Sequence, residues 1–296
     1  MNQRPHAISE GSASVMNPEP MKNPPVKAKK SRAGRNLPAS IGVGVGLGAL
    51  VLALLLAPTV LFLVFVMVVA IMAEVEMARA LARIRIKLCL PPLWVGTIGM
   101  MLCAYLLGPE GLWAALLATL ITCAIWRLSV GPSKFATRDL LATCFVAIYL
   151  PFLASFVVIM LHNPHHPAPI ILWIVITICN DIGGYAAGVL KGKHPMAPAV
   201  SPAKSWEGFA GSLVMCTVAA AIAVWVTGTP LWAIAVLGLF TPVIATCGDL
   251  GESLIKRDLQ LKDMGHLLPG HGGVMDRLDS LLITVPLFFV VSLFIF

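Results

Sequence analysis

The sequence predicts an all-α, polytopic integral membrane protein with about nine transmembrane helices and a cytoplasmic N-terminus. Of its 296 residues, 58% are apolar and only 12% are charged, and the mean hydropathy is +0.88. Soluble domains are about 45–50% apolar and about 25% charged. The apolar residues form runs of membrane-spanning length, and the positive charges lie between alternate runs. These two patterns give the number of spans and their orientation.

A helix needs about 20 apolar residues to cross the hydrocarbon core of a bilayer. The predicted spans are 39–57, 58–78, 91–108, 111–129, 139–161, 168–190, 208–228, 230–250 and 280–296.

The positive charges orient these spans. All 21 Lys and Arg residues fall in five segments, namely the N-terminal tail, 79–90, 127–138, 191–207 and 251–279. Because Lys and Arg concentrate in cytoplasmic loops, these segments are predicted to be cytoplasmic, with the C-terminus outside. The net charge of +7 then reflects topology and attraction to anionic lipid, and no nucleic-acid partner is expected.

Two predicted spans carry a carboxylate in a membrane segment, where burial of a charged group costs free energy. Asp181 lies inside "ILWIVITICNDIGGYAAGVL", and Asp249 closes the eighth span in "TPVIATCGDLGESLIKR". An aspartate at the centre of a membrane helix costs about 2.5–3.5 kcal/mol, so such a group is a candidate functional residue by default. A polar contact between packed helices is the structural alternative for either residue.

From Asp249 onward, polar side chains recur on one helix face. The positions i, i+3, i+4, i+7 and i+8, which share a helix face, are occupied by Asp249, Glu252, Ser253, Lys256 and Arg257. The face offers hard oxygen ligands followed by two cations, and this combination is typical of a magnesium-phosphate site.

Asp276 and Asp279 repeat the i, i+3 spacing at the predicted start of the last helix. They add carboxylates to the same membrane face, and simple capping of the helix N-terminus is the alternative interpretation. In the other long inner segment, "KGKHPMAPAVSPAKSWEG", we predict an irregular loop in which Lys204 and Ser205 are suited to donate to phosphate. An ordinary juxtamembrane basic loop is the alternative there.

The stretch 253–279, "SLIKRDLQLKDMGHLLPGHGGVMDRLD", resembles the signature of phosphatidate cytidylyltransferases (CDP-diacylglycerol synthases). The matching positions are Ser253, Lys256, Arg257, Lys262, Asp263, Gly265, Pro269, His271, Gly272, Gly273, Asp276, Arg277 and Asp279.

Two upstream motifs extend the resemblance. "DIGGYAAG" at 181–188 is similar to the family's D-x-x-A-Y-x-x-G, with Gly184 where Ala is usual. "SPAKSWEG" at 201–208 is similar to S-P-K-K-T-W-E-G, with Ala203 in place of the first Lys and Ser205 in place of Thr. The resemblance covers roughly residues 140–296, and the earlier spans match only in hydropathy.

The resemblance implies that CTP and phosphatidate react to give CDP-diacylglycerol and pyrophosphate. It implies that Mg²⁺ is required, and whether a second metal ion takes part stays open. It implies a bacterial cell-membrane enzyme whose active site faces the cytoplasm, and it suggests a homodimer. The domain organisation that follows is a disordered basic tail (1–38), N-terminal membrane helices (39–138) and catalytic membrane helices with cytoplasmic loops (139–296).

On this basis we assign roles to site residues as hypotheses. We assign phosphate binding in catalysis to Lys204, Lys256, Arg257 and Arg277, and leave a general-base role open for His271. We expect the nucleotide pocket to be shaped by Ser201, Pro202, Lys204, Ser205, Gly272 and Gly273. As metal ligands we expect first Asp249 and Asp276, and then Asp279 and Asp181.

Three other functions stay open at this point. A proton-coupled carrier could use Asp181, but it predicts charges along a path through several spans. A related CTP-using enzyme could act on another lipid, such as a polyprenol kinase or a transferase for an ether-lipid phosphate. An inactive paralogue could bind only lipid or a partner.

The metal-ligand assignment predicts the behaviour of two variants. Asp249→Asn and Asp276→Asn should each remove most of the turnover and leave membrane insertion intact, because the amide loses the charge that binds Mg²⁺ but keeps the shape. Incorporation of labelled CTP into lipid by each purified variant measures this. Near-normal incorporation by either one would contradict its assignment.

Overall fold

Helices make up nearly all of the computed structural model, which describes residues 37–131, 134–261, 263–265 and 272–296. Residues 1–36 of the predicted basic tail lie outside the described residues. A π-helical turn, Ile148–Phe152, joins the fourth and fifth α-helices. The other elements, in chain order, are α1 (Leu37–Leu56), α2 (Thr59–Ala82), α3 (Leu90–Ser129), α4 (Ala136–Ala147), α5 (Leu153–Met160), α6 (Ala168–Lys191), β1 (Pro195–Ala197), β2 (Ser201–Ser205), α7 (Trp206–Thr227), α8 (Trp232–Asp258) and α9 (Met275–Ile295).

The longest helix, α3, is a hairpin of two membrane spans. Its 40 residues would extend about 60 Å at 1.5 Å per residue, twice the roughly 30 Å of a hydrocarbon core. Gly108 breaks it with a φ of 69°, and Pro109 follows. A β-carbon on Gly96 would lie 2.2 Å from the Thr119 side chain, so the two halves fold back on each other.

The predicted fold class is confirmed for the part of the chain that the structure describes. Seven helical stretches there are long and apolar enough to cross a membrane, with α4, the π-turn and α5 forming one of them. Because α3 supplies two spans and α1 adds 20 further helical residues, the total agrees with about nine. The predicted division at residue 138 falls within the first turn of α4.

The predicted irregular loop at 191–207 is instead partly a β-hairpin. Strand β1 pairs antiparallel with β2, with Pro195 opposite Ser205 and Ala197 opposite Ser201. Pro195 and Pro202 are tolerated because both strands of a two-stranded ribbon are edges, where a missing N–H need not break the ladder. The described residues are therefore nearly all helical, with one short hairpin of 3 and 5 residues.

Helices α6 and α7 approach each other through glycine. A β-carbon on Gly183 would lie 2.6 Å from the Gly211 carbonyl oxygen, and one on Gly211 would lie 2.5 Å from the Gly183 oxygen. Small residues permit such close backbone contact between membrane helices. Helix α9 rests on α8 in a similar way, because a β-carbon on Gly248 would lie 2.7 Å from the Asp279 carbonyl oxygen. The C-terminal ends of α6 and α8 thereby meet the N-terminal ends of α7 and α9.

The glycine contact predicts a difference between two matched substitutions. Gly211→Ala would place its β-carbon 2.3 Å from the Ala187 β-carbon as well as against backbone, and such overpacking costs about 1–3 kcal/mol. Gly99→Ala, in α3, would meet no atom within 4 Å. We expect Gly211→Ala alone to lower the midpoint of thermal unfolding in detergent. Equal midpoints for the two variants would contradict close α6–α7 packing.

Candidate functional site

A cavity of about 220 Å³ lies between α6, the hairpin, α7 and α8. Its polar lining comes from three separate parts of the sequence, namely Asn180 and Asp181, then Lys204, Ser205 and Ser212, and finally Thr246 and Asp249. The predicted site residues Asp181, Lys204, Ser205 and Asp249 are thus brought together. Ser201 and Pro202 lie on β2 but do not line this cavity.

Lys204 and Asp249 form an ion pair across the cavity. The Lys204 ammonium donates to Oδ2 of Asp249, and the two side chains retain 26% and 23% of their exposure. The pair joins β2 to α8. Because both side chains remain accessible, an entering phosphate or metal ion can reach either charge.

Asp181 is held by its neighbour Asn180. The Asn180 amide donates from Nδ2 to Oδ1 of Asp181 over 3.0 Å, and the Ser212 hydroxyl donates to the Asn180 carbonyl over 2.7 Å. Asn180 is 3% exposed, and its Oδ1 has no hydrogen-bond partner in the described part of the chain. The Asn180 side chain therefore presents a free hard oxygen beside a carboxylate at the cavity wall.

The hairpin is fixed to the helices at several points. Arg257 donates from Nε to the Val200 carbonyl over 3.0 Å, which ties the hairpin turn to α8. Ser205 accepts from the Gly208 backbone amide over 3.1 Å and caps α7. His194 Nδ1 lies 2.5 Å from Glu207 Oε1 across the base of the hairpin. His194 and Glu207 were given no role from the sequence, although Glu207 belongs to the "SPAKSWEG" motif.

A second charged cluster joins α8 to α9. The Lys256 ammonium lies 3.1 Å from Glu252 Oε1 and 2.6 Å from Asp276 Oδ1. The Glu252 side chain is 1% exposed and that of Asp276 is 7% exposed. Lys256 is therefore already engaged by two buried carboxylates, and its predicted contact with phosphate stays a prediction.

Asp276 binds the backbone that precedes α9. Its Oδ2 accepts from the backbone amides of Gly273 over 2.7 Å and Met264 over 3.1 Å. Gly272, with a φ of 83°, turns the backbone into this contact. Both amides precede α9 (Met275–Ile295), so these contacts do not cap the N-terminus of that helix, and the metal-ligand role of Asp276 remains a prediction. His271 lies outside the described residues.

Asp279 connects the two clusters electrostatically. It acts on Asp249 and Asp181 on one side and on Glu252 on the other. Arg277 acts on Asp181 with the opposite sign. Within the described ranges, ion pairs and longer-range electrostatic interactions link five carboxylates with three cations, the carboxylates being Asp181, Asp249, Glu252, Asp276 and Asp279 and the cations Lys204, Lys256 and Arg277.

This donor set fits Mg²⁺. Among the described residues no three His, Cys, Asp or Glu side chains lie close enough to hold a metal ion by themselves. Mg²⁺ does not require that, because it is usually bound through one or two carboxylates together with phosphate oxygens and water. The free Asn180 oxygen and the excess of carboxylates favour a hard divalent cation at Asp181 and Asp249, with Asp279 nearby.

Sequence reasoning missed two acidic residues on α2. Glu74 is completely buried and Glu76 is 6% exposed. The Thr97 hydroxyl donates to Glu74, and the Met275 backbone amide donates to Glu76 over 3.0 Å. Their position in the sequence could have identified them, because two carboxylates within the predicted span 58–78 are candidate functional residues by the same argument as Asp181.

The burial of the two lysine clusters predicts different stability losses. Lys256→Met would leave Glu252 and Asp276 without their cation, and breaking such a buried pair costs about 3–5 kcal/mol. Lys204→Met removes a more accessible pair, for which about 1 kcal/mol is expected. Unfolding in detergent, followed by tryptophan fluorescence, should rank Lys256→Met as clearly less stable. Equal losses would contradict the structural role of Lys256.

Comparison with known proteins agrees with this geometry. Three bacterial proteins named phosphatidate cytidylyltransferase are similar to the chain. That of Mycobacterium bovis is 40% identical over 206 residues, which cover 64% of this chain and 67% of that protein. That of Mycobacterium leprae is 42% identical over 181 residues, covering 56% and 58%, and that of Bacillus subtilis is 42% identical over 130 residues, covering 43% and 46%.

The matched regions therefore span from under half to two thirds of these relatives' own length. The family described as the cytidylyltransferase family matches residues 39–295, which include both charged clusters and nearly all of the predicted membrane-spanning residues. The chain belongs to the cytidylyltransferase family.

Proposed function

We propose that this chain transfers the cytidylyl group of CTP to phosphatidate, giving CDP-diacylglycerol and pyrophosphate for phospholipid synthesis. The observation that carries the proposal is the cavity where Asp181, Lys204 and Asp249 converge, in a chain of the cytidylyltransferase family. The names of the relatives supply the lipid substrate. The charged residues supply the chemistry that a transfer between two polyanions requires.

The reaction forms one bond and breaks one. An oxygen of the phosphatidate phosphate attacks the α-phosphorus of CTP, and the bond from that phosphorus to the oxygen bridging to the β-phosphate breaks. Pyrophosphate leaves with the electron pair of that bond. The attacking oxygen is already anionic near neutral pH, so the enzyme needs no strong base and acts by positioning and charge stabilisation.

The residues around the cavity divide this work. Lys204, which is paired with Asp249, would bind a CTP phosphate. Asp249 and Asp181 would hold Mg²⁺ together with the Asn180 side-chain oxygen, and Asp279 lies near them in the electrostatic network. When bound, Mg²⁺ neutralises charge on the phosphates and on the departing pyrophosphate.

The second cluster shapes the neighbouring phosphate site. Lys256 and Arg277 add positive charge at the start of α9, next to the backbone of Gly272 and Gly273. Arg257 holds the hairpin through Val200 and presents the rest of its guanidinium to the solvent side, where the nucleotide arrives. All of these cations lie in segments predicted to be cytoplasmic, where CTP is available. A bacterial cell-membrane location and a homodimer complete the proposal.

The position of the label in CTP tests this function directly. The purified full-length chain, in mixed micelles with phosphatidate, should move label from the α-phosphate of CTP into lipid and label from the γ-phosphate into pyrophosphate. A CTP-dependent lipid kinase would instead move the γ-label into lipid. EDTA should abolish the transfer and Mg²⁺ should restore it.

The controls distinguish the chemistry from contamination. Asp249→Asn serves as the inactive variant, and Asp258→Asn is its match, because Asp258 is an exposed aspartate at the end of the same helix. Unlabelled GTP and dATP should compete poorly, and lysophosphatidate tests the lipid requirement. Transfer that survives in Asp249→Asn, or γ-label in lipid, would overturn the proposal.

A further inference from the structure

We infer that Glu76 on α2 is a positioning residue, which holds Gly265, Gly273 and the first turn of α9 in place and thereby sets the position of Asp276 relative to Lys256, the proposed phosphate-binding residue. The inference rests on the proposed function, but it concerns a residue outside the motifs and in the N-terminal half of the chain. Glu76 does not line the cavity. Its contacts are with the backbone that carries the signature residues.

The first contact is a hydrogen bond between α2 and the start of α9. Oε2 of Glu76 accepts from the backbone amide of Met275 over 3.0 Å, a residue 199 positions later in the chain. Met275 is the first residue of α9, and amides in the first turn of a helix have no partner within the helix. A carboxylate is favoured there also because the helix N-terminus carries partial positive charge.

The second contact is with two glycines that have no room for a side chain. A β-carbon on Gly265 would lie 2.4 Å from Glu76 Oε1, and its three nearest neighbours would all be Glu76 atoms. A β-carbon on Gly273 would lie 2.5 Å from Glu76 Oε2 and 2.8 Å from the Gly265 nitrogen. Gly265 and Gly273 therefore meet each other against the Glu76 carboxylate.

The third step links this contact to the charged cluster. The amide of Gly273 donates to Asp276, and Asp276 also binds the Lys256 ammonium over 2.6 Å. Movement of Gly273 or of the first turn of α9 would therefore displace Asp276 relative to Lys256. Because transfer depends on alignment of the reacting groups, a displacement of about 1 Å can cost about a hundredfold in rate.

Glu74 provides a matched control on the same helix. It is also a buried carboxylate, but its described partner is the Thr97 hydroxyl on α3. A general requirement for acidic groups in α2 would affect both residues equally. A positioning role for Glu76 affects Glu76 alone.

The test uses the labelled-CTP assay at a temperature well below the unfolding midpoint of every variant, so that lower stability alone does not reduce kcat. We expect Glu76→Ala to lower kcat at least tenfold. Glu76→Gln should stay within threefold of wild type, because its amide oxygen still accepts from Met275. Glu74→Gln should also stay within threefold.

A double mutant examines the contact itself. Gly265→Ala should displace the carboxylate from Met275 and lower kcat about as much as Glu76→Ala does. The Glu76→Ala/Gly265→Ala double variant should lose no more than either single variant, because residues in one contact are not additive. If Glu76→Ala cannot be purified, Glu76→Gln and Gly265→Ala decide the question by retained and lost turnover.

Three results would overturn the inference. The first is a kcat within threefold of wild type in Glu76→Ala or in Gly265→Ala. The second is an equal loss of kcat in Glu76→Gln and Glu76→Ala, and the third is a double variant whose fold-loss of kcat is the product of the two single fold-losses. Absence of lipid labelling in both wild type and Glu74→Gln would instead refute the proposed function.

Discussion

Among the residues that the structure describes, a group of largely buried carboxylates that outnumber the cations paired with them is the constraint on which the rest of this structure depends. Glu252 and Asp276 share Lys256, and Asp249 has Lys204, while Asp181 and Asp279 add charge around the same end of the bundle. Carboxylates removed from water need a counter-charge or hydrogen-bond donors. In this structure the lysines and the backbone amides before α9 and at its first residue supply them.

Glycine makes this arrangement possible. The backbones of α6 and α7 approach closely at Gly183 and Gly211, and α9 approaches α8 at Gly248. Close helices bring side chains from four elements within reach of one cavity, which longer side chains at the contacts would prevent. The same property that packs these helices in lipid thus sets the spacing between Asp181, Asp249 and Asp279.

The features that could be predicted from the sequence are those set by the thickness of the bilayer or by the periodicity of a single helix. Span lengths follow from the thickness of the membrane, and the shared face of Glu252 and Lys256 follows from helical periodicity. The β-hairpin was missed because its Ser, Pro and Ala residues have no strand pattern, and pairing across the ribbon compensates for that. The Glu76–Met275 contact could not be predicted, because no periodicity relates residues 199 positions apart. The contacts of Asp276 could not be predicted either, because they depend on where Met264 and Gly273 direct their amides.

These contacts explain how the N-terminal half of the chain supports the motif residues of the C-terminal half. The motif residues belong to α6–α9 and the hairpin, yet the start of α9 is bound from the other side by a carboxylate of α2. The single positive charge of Lys256 is already shared between Glu252 and Asp276, so a third carboxylate near the same backbone must be stabilised differently. Glu76 achieves this with the unpaired amide and the positive end of α9. Glycine at 265 and 273 is the steric consequence, because only a residue without a β-carbon lets a carboxylate come that close to the backbone.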